Sequence, residues 1–183
     1  MPIKQISPFF SISDKMDIQD IGAASANGIR AIINNRPDNE DTDQVNSAIL
    51  EKTAQNLGME YRHIPIIPGQ ITDENINEFE QTLMEMQGPV VAFCRTGSRS
   101  ITLWALVEAK HLTSSAILKA TARAGYDLSQ LRPRFDKILE QNKLLDNKID
   151  VKTTIHTKHT LTHDIVIVGG GAAGIASASS ILK

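Results

Sequence analysis

The strongest constraint on the fold is a pair of short, continuous apolar runs, Ile29–Asn34 (IRAIIN) and Pro89–Phe93 (PVVAF), each set between segments of helical periodicity. A run of this length with no polar alternation suits a strand buried on both faces. Such strands belong in a parallel sheet covered by helices. A third strand is expected over Tyr61–Ile66, with Pro65, Pro68 and Gly69 making its exit rigid. Helices are expected between them. Asp14–Asn27 carries Ile18 and Ile21 and stops at Gly28, while Val45, Ile49 and Leu57 recur at multiples of four and end at Gly58. Thr72 is an expected N-cap, with Asp73 and Glu74 in the first turn and Ile76, Phe79, Leu83 and Met86 as the apolar stripe. Ile101–Val107 is apolar on nearly every side and so should lie inside the domain. Helices over Ser114–Ala124 and Leu128–Lys143 complete the pattern, and no internal repeat is visible. The expected class is α/β, a mainly parallel sheet flanked by helices.

Composition narrows the function. Nineteen basic against 21 acidic residues give a net charge of −2, without the basic excess of a nucleic-acid binder. Aromatic residues are only 4%, too few for a base-stacking platform. The single cysteine excludes an internal disulfide and suits a reduced, cytoplasmic setting, and the N-terminal MPIKQISPFF lacks the apolar run of a secretory signal.

That cysteine lies in Phe93-Cys94-Arg95-Thr96-Gly97-Ser98-Arg99-Ser100, between an expected strand and an expected buried helix. Open α/β sheets bind ligands at this end of their strands. The N–H groups of Arg95, Thr96, Gly97, Ser98 and Ser100, together with the helix N-terminus, can converge on an anion. The same field, with Arg95 and Arg99, favours the thiolate of Cys94. A thiolate is a nucleophile, and a planar guanidinium can hold an oxyanion with two hydrogen bonds. Gly97 lets the backbone approach a bound group. Cys94 and Arg99 are therefore the catalytic candidates, with Arg95, Thr96, Gly97, Ser98 and Ser100 as the anion-binding loop.

The loop resembles two families. Cysteine-dependent phosphatases use Cys-x5-Arg, usually with histidine before the cysteine. Rhodanese-type sulfurtransferases include bacterial loops much like Cys-Arg-x-Gly-x-Arg-Ser. Four residues separate Cys94 from Arg99, Ser100 stands where a phosphatase would need its arginine, and Phe93 precedes the cysteine. The shorter ring favours a persulfide or thiosulfonate sulfur over a tetrahedral phosphate. More widely, Asn34-Asn35-Arg36-Pro37-Asp38, then Ile-Pro-x4-Gln-Ile-Thr, then Gly-Pro-Val-x3-Cys-Arg-Thr-Gly-Ser-Arg-Ser resembles the beta-lactamase hydrolase-like, phosphatase-like domain family over roughly Ile6–Lys143. That resemblance implies a dual-specificity-phosphatase-like fold and leaves phosphatase and sulfurtransferase both open.

A phosphatase also needs a proton donor for its leaving group. Asp38, Glu40, Asp41, Asp43 and Asp73 all read as solvated loop or helix-start carboxylates. Thiosulfate needs no such acid, because sulfite leaves readily. His63, His111, His156, His159 and His163 form no metal pattern with cysteine or carboxylate, and no metal is expected.

The chain divides into a domain over 1–145, a polar linker over 146–163 and a distinct tail over 164–183. Residues 165–182 are uncharged for 18 positions, but their glycines and serines favour strand–turn–helix over a membrane span. Gly169, Gly171 and Gly174 fit G-x-G-x-x-G after a strand and before an Ala/Ser-rich helix. This resembles the FAD-binding start of pyridine nucleotide–disulfide and sulfide:quinone oxidoreductases. The acidic ribose ligand would fall beyond Lys183, so FAD is expected only in a full-length fusion, and the first domain needs no cofactor. The leading expectation is a sulfurtransferase carrying a persulfide on Cys94. Its partners would be a small sulfur anion, a thiol acceptor and an associated flavoprotein. A phosphatase and a non-catalytic docking module are the alternatives.

Overall fold

A computed structural model describes residues 3–155 of the chain; the glycine run 169–174 and the tail that carries it lie outside the described residues. Two compact units divide the chain, Met1–Asn142 and Lys143–Lys183. The first is a five-stranded sheet flanked by helices. Its strands are β1 (Lys4–Ser7), β2 (Phe10–Ser13), β3 (Ala31–Asn34), β4 (Glu60–His63) and β5 (Val90–Phe93), in the order β1-β2-β5-β3-β4. β5 lies at the centre, parallel to both β2 and β3, and β4 runs parallel to β3. Only β1 is antiparallel. β1 and β2 were not expected from the sequence: their segment mixes serines and lysine with isolated apolar residues and lacks the β-branched run that marks β3 and β5.

The helices are α1 (Ile18–Ala26), α2 (Ser47–Asn56), α3 (Asp73–Glu85), α4 (Ser98–Glu108), α5 (Ser114–Arg123) and α6 (Arg132–Ile155), with a 3-10 turn at Ser129–Leu131. α6 thus continues past Lys143 into the stretch read as polar linker. No helix among the described residues is long and apolar enough to cross a membrane.

Side-chain alternation in the buried strands sorts the core into two layers. Val91 and Phe93 of β5 join Ile32 and Tyr61, against Ile21 and Ala24 of α1 and Leu50 and Ala54 of α2. Val90 and Ala92 join Phe10, Ile12 and Ile33, against α3, α4, α5 and Phe135 of α6. Phe10 anchors this second layer, stacked on Trp104 at 6.0 Å and edge-on to Phe79 at 6.1 Å. Two expected stripes are corrected. Ile18, Ile49 and Leu57 are exposed; in α1 Ile21 is buried as expected but with Ala24 as its neighbour, and α2 buries Leu50 and Ala54 instead. Every-fourth spacing of large residues misled there because small alanines fill the contact with the sheet.

The termini of α1, α2, α3 and α5 are closed by side chains: Asp17, Asn46, Thr72 and Thr113 each accept from a first-turn N–H. Thr72 is thus the N-cap expected. α4 differs. Its N-cap is Gly97, which offers no side-chain oxygen. The first-turn donors of the most buried helix therefore face the cysteine loop without a protein cap.

Candidate active site

The loop leaves β5 at Phe93 and enters α4 at Ser98, so strand and helix fix its two ends. Its outer side is tied down one carbonyl at a time. Asn35 N–H donates to Phe93 at 2.8 Å, Lys15 N–H to Arg95 at 3.3 Å, and the Tyr126 hydroxyl to Thr96 at 2.8 Å. In a trans peptide the carbonyl and the following N–H point in opposite directions. Carbonyls held outward at Arg95 and Thr96 therefore turn the N–H groups of Thr96 and Gly97 inward. The result is a concave set of donors at the positive end of α4.

Gly97 is required at this bend by its conformation and by its surroundings. Its φ of 78° lies in the left-handed region. A Cβ there would run into the Tyr126 hydroxyl and stand 3.4 Å from the Ser13 carbonyl. Tyr126 is itself steadied by the Lys4 ammonium, 4.6 Å from its ring centre.

Cys94 is 1% exposed, at the floor of the loop. Arg99 is the cation brought against it. One terminal nitrogen of Arg99 donates to the Ile66 carbonyl at 2.7 Å, and the other reaches Glu40 at 2.8–2.9 Å. Burial alone would lower the Arg99 pKa, yet the bond to Glu40 and the proximity of Cys94, by charge and hydrogen bond, leave it raised. The guanidinium is thus fixed in the cationic state beside the sulfur.

The remaining loop residues divide by exposure. Arg95 is exposed and turned to the rim, where it lies 3.4 Å from Asp41. Thr96 and Ser98 are exposed and their hydroxyls meet at 3.0 Å. Ser100 is fully buried, and its hydroxyl donates to Asn35 at 2.8 Å, which commits that side chain to the fold. Asn35 also donates to the Ile64 carbonyl at 3.1 Å, and its own carbonyl accepts from Ile66 at 3.1 Å. It ties the ends of β4 and β5 to α4.

Of the carboxylates read as solvated loop or helix-start groups, Asp43 and Asp73 are as expected, whereas Asp38, Glu40 and Asp41 require correction. Asp38 accepts from the Ser47 N–H and hydroxyl at 2.8 and 2.6 Å and so closes the start of α2. Glu40 bridges Arg99 and Arg36, with Arg36 Nε at 2.9 Å. Burial would raise the Glu40 pKa, but its bonds to the two arginines outweigh that and hold it below the ordinary glutamate value. Asp41 pairs with Arg36 and reaches Arg95. Asp43 is exposed, and Asp73 lies at the start of α3, 3.4 Å from Arg134. The loop after β3 closes on itself as well: Gln44 bridges the Glu40 N–H and the Pro37 carbonyl, and His63 Nε2 bonds the Arg36 carbonyl at 2.8 Å. Glu40, Asn35 and Tyr126 are the site residues that sequence reasoning missed. The polar run after β3 was the available signal, since four charges in six residues at the carboxyl end of a buried strand can meet the loop after β5.

This combination defines a class: an α/β domain with a mostly parallel sheet and a cysteine–arginine loop at the carboxyl end of its central strand. Residues 2–111 match the family described as beta-lactamase hydrolase-like protein, phosphatase-like domain, and the chain belongs to that family. A beta-lactamase hydrolase-like protein from Agrobacterium fabrum is 37% identical over 109 residues, which is 60% of this chain and 25% of that relative. The chain thus matches about a quarter of the length of its curated relative. The crystal structure of a candidate phosphatase from Neisseria meningitidis is similar at a TM-score of 0.68 and 28% identity, over 75% of this chain and 99% of that one. Tk-PTP in its active form aligns at a TM-score of 0.60 and 18% identity, over 76% of this chain and 96% of that one, which speaks to the fold alone.

Proposed function

We propose that the domain is a cysteine-dependent, phosphatase-like hydrolase whose nucleophile is Cys94. The observation that carries the reading is the Arg99 guanidinium, held by the Ile66 carbonyl and Glu40 in the first turn after the loop whose floor is the buried Cys94. The family match and its solved relatives support it. The Cys94 thiolate attacks phosphorus, the ester P–O bond breaks, and the leaving oxygen takes a proton from water. Water then attacks the S-phosphocysteine, the S–P bond breaks, and phosphate and the thiolate are restored. Loop N–H groups and Arg99 hold the oxygens that gain charge in both steps. Glu40 and Asp41 are paired to arginines rather than free to protonate a leaving group, so donors with stable leaving groups, such as aryl phosphates, fit this site best.

A second reading is favoured by a specific observation: four residues, not five, separate Cys94 from Arg99, and Asp38, Glu40 and Asp41 after β3 are engaged with arginines or with the start of α2. Sulfur transfer needs no acid. Cys94 would attack the outer sulfur of thiosulfate, the S–S bond would break, and sulfite would leave with the electron pair. An external thiolate would then take the outer sulfur, since the chain has no second cysteine. An associated flavoprotein as donor, acting in the cytoplasm, belongs to this second reading.

Incubation with an aryl phosphate or with thiosulfate, followed by turnover and intact mass, separates the readings. Phosphate release lost in Cys94→Ala supports the first. One added sulfur atom, absent in Cys94→Ala, supports the second. Neither outcome leaves a non-catalytic docking module.

A further inference from the structure

We infer that Glu40 is a positioning residue for Arg99, setting the aim of the guanidinium at whatever anion occupies the cysteine loop. The inference rests on the reading of Cys94 and Arg99 as an anion-binding nucleophilic site, and it holds for either chemistry.

An arginine side chain has several rotatable bonds, and α4 fixes only its backbone. Two contacts fix the rest, the Ile66 carbonyl and the Glu40 carboxylate. The carbonyl supplies one neutral acceptor. Glu40 supplies the charged one, and hydrogen bonds to charged groups are worth about 1.5–3 kcal/mol against about 1 kcal/mol for a neutral pair. Glu40 is in turn held by something other than Arg99. Arg36 Nε donates to its Oε2 as well, and Arg36 is 4% exposed, with its own N–H on the Asn34 side chain. The order of support therefore runs from β3, through Arg36 and Glu40, to Arg99. Glu40 is oriented by the fold before Arg99 is, so it can dictate where Arg99 points. Asp41 takes the other side of Arg36 and keeps that cation from competing for Glu40 alone.

A purely structural ion pair predicts a different outcome. Lys110 and Glu80 form a comparable partly buried pair between the turn after α4 and α3, away from the loop. Removing that carboxylate should lower stability and leave the anion site intact. Removing Glu40 should weaken anion binding beyond any loss of stability.

The test is alkylation of Cys94 by iodoacetamide in the presence of increasing inorganic phosphate or thiosulfate, with thermal unfolding of each variant alongside. In the unaltered protein the anion should slow alkylation. Glu40→Gln should need roughly tenfold more anion for the same protection, about 1.4 kcal/mol of lost interaction. Glu80→Gln should keep the original midpoint. Where both act on substrate, Glu40→Gln should raise KM and lower kcat together, while Glu80→Gln changes neither. If Glu40→Gln fails to fold, Glu40→Asp carries the test, because it keeps the charge and withdraws it by one methylene. Its protection midpoint should rise at an unchanged melting temperature. An unchanged midpoint in a folded Glu40 variant overturns the inference. Absence of protection in the unaltered protein overturns the site reading beneath it.

Discussion

Replacing Gly97 by alanine tests the loop geometry most directly, because two separable costs are expected. The first is conformational. At φ 78° an alanine pays about 1–2 kcal/mol that glycine does not. The second is steric and falls chiefly on the Tyr126 hydroxyl, which must swing away from the new Cβ and release the Thr96 carbonyl, with the ring Cζ at 3.1 Å as a lesser contact. A lost neutral hydrogen bond is worth about 1 kcal/mol. Gly97→Ala should therefore destabilise by about 2–3 kcal/mol, and Tyr126→Phe alone by about 1 kcal/mol. In the double variant the hydroxyl is gone, so Gly97→Ala should cost its conformational part and little more, the ring Cζ at 3.1 Å needing a shift of only a few tenths of an ångström. The coupling between the two sites is then about 1 kcal/mol, well outside the scatter of independent sites. Urea unfolding of the four proteins measures it, provided the slopes agree. Equal costs of Gly97→Ala in the two backgrounds would refute the reasoning, since the hydroxyl would then not be the obstacle.

Other outcomes follow from the same contacts. Arg99→Lys removes the planar fork and should lower turnover on the order of 100-fold, about 2.7 kcal/mol, in whichever assay proves positive; near-normal rates would remove Arg99 from the site. Asn35→Ala strands the buried Ser100 hydroxyl and the Ile64 carbonyl and should cost about 2–4 kcal/mol in urea unfolding; a loss under about 1 kcal/mol would contradict its role in tying the strand ends to α4. Glu108 has its pKa raised, chiefly by burial. Its native pKa then lies above the unfolded value of about 4.3–4.5, so the native state binds the proton more tightly and ionisation costs stability as pH rises through that range. Glu108→Gln should be more stable than the parent at pH 7, with the advantage shrinking below pH 4, and a pH-independent difference would contradict the assignment.

Much of the architecture was legible because burial on both faces forces an unambiguous pattern. IRAIIN and PVVAF admit little but central strands, and the all-round apolar Ile101–Val107 admits little but an interior helix. β1 and β2 were not legible, since β2 takes its place beside β5 through partners distant in sequence. At the site, Cys94, Arg99 and Gly97 could be named together because they share one loop. Glu40 could not be told apart from Asp38, Asp41 or Asp43, all within six residues of chain. One closes α2, one bridges two arginines, one joins Arg36 to the rim, and one faces solvent. Local sequence carries no record of which cation each carboxylate will meet.

The sequence by itself determined the α/β class, the central strand, and a loop with four residues between its cysteine and its arginine. It did so because strand burial, loop length and residue chemistry are local properties of the chain. Only the tertiary structure decided that Arg99 is held by Glu40 and Ile66, and that the Ser100 hydroxyl donates to Asn35. It alone also turned the loop carbonyls outward onto Lys15 and Tyr126. These are contacts between segments 30 to 80 residues apart. They exist because the parallel sheet brings the carboxyl ends of β2, β3, β4 and β5 to one edge. There a charge or hydroxyl is placed by the strand that delivers it and by the neighbour across the sheet, and neither is written beside it in the chain.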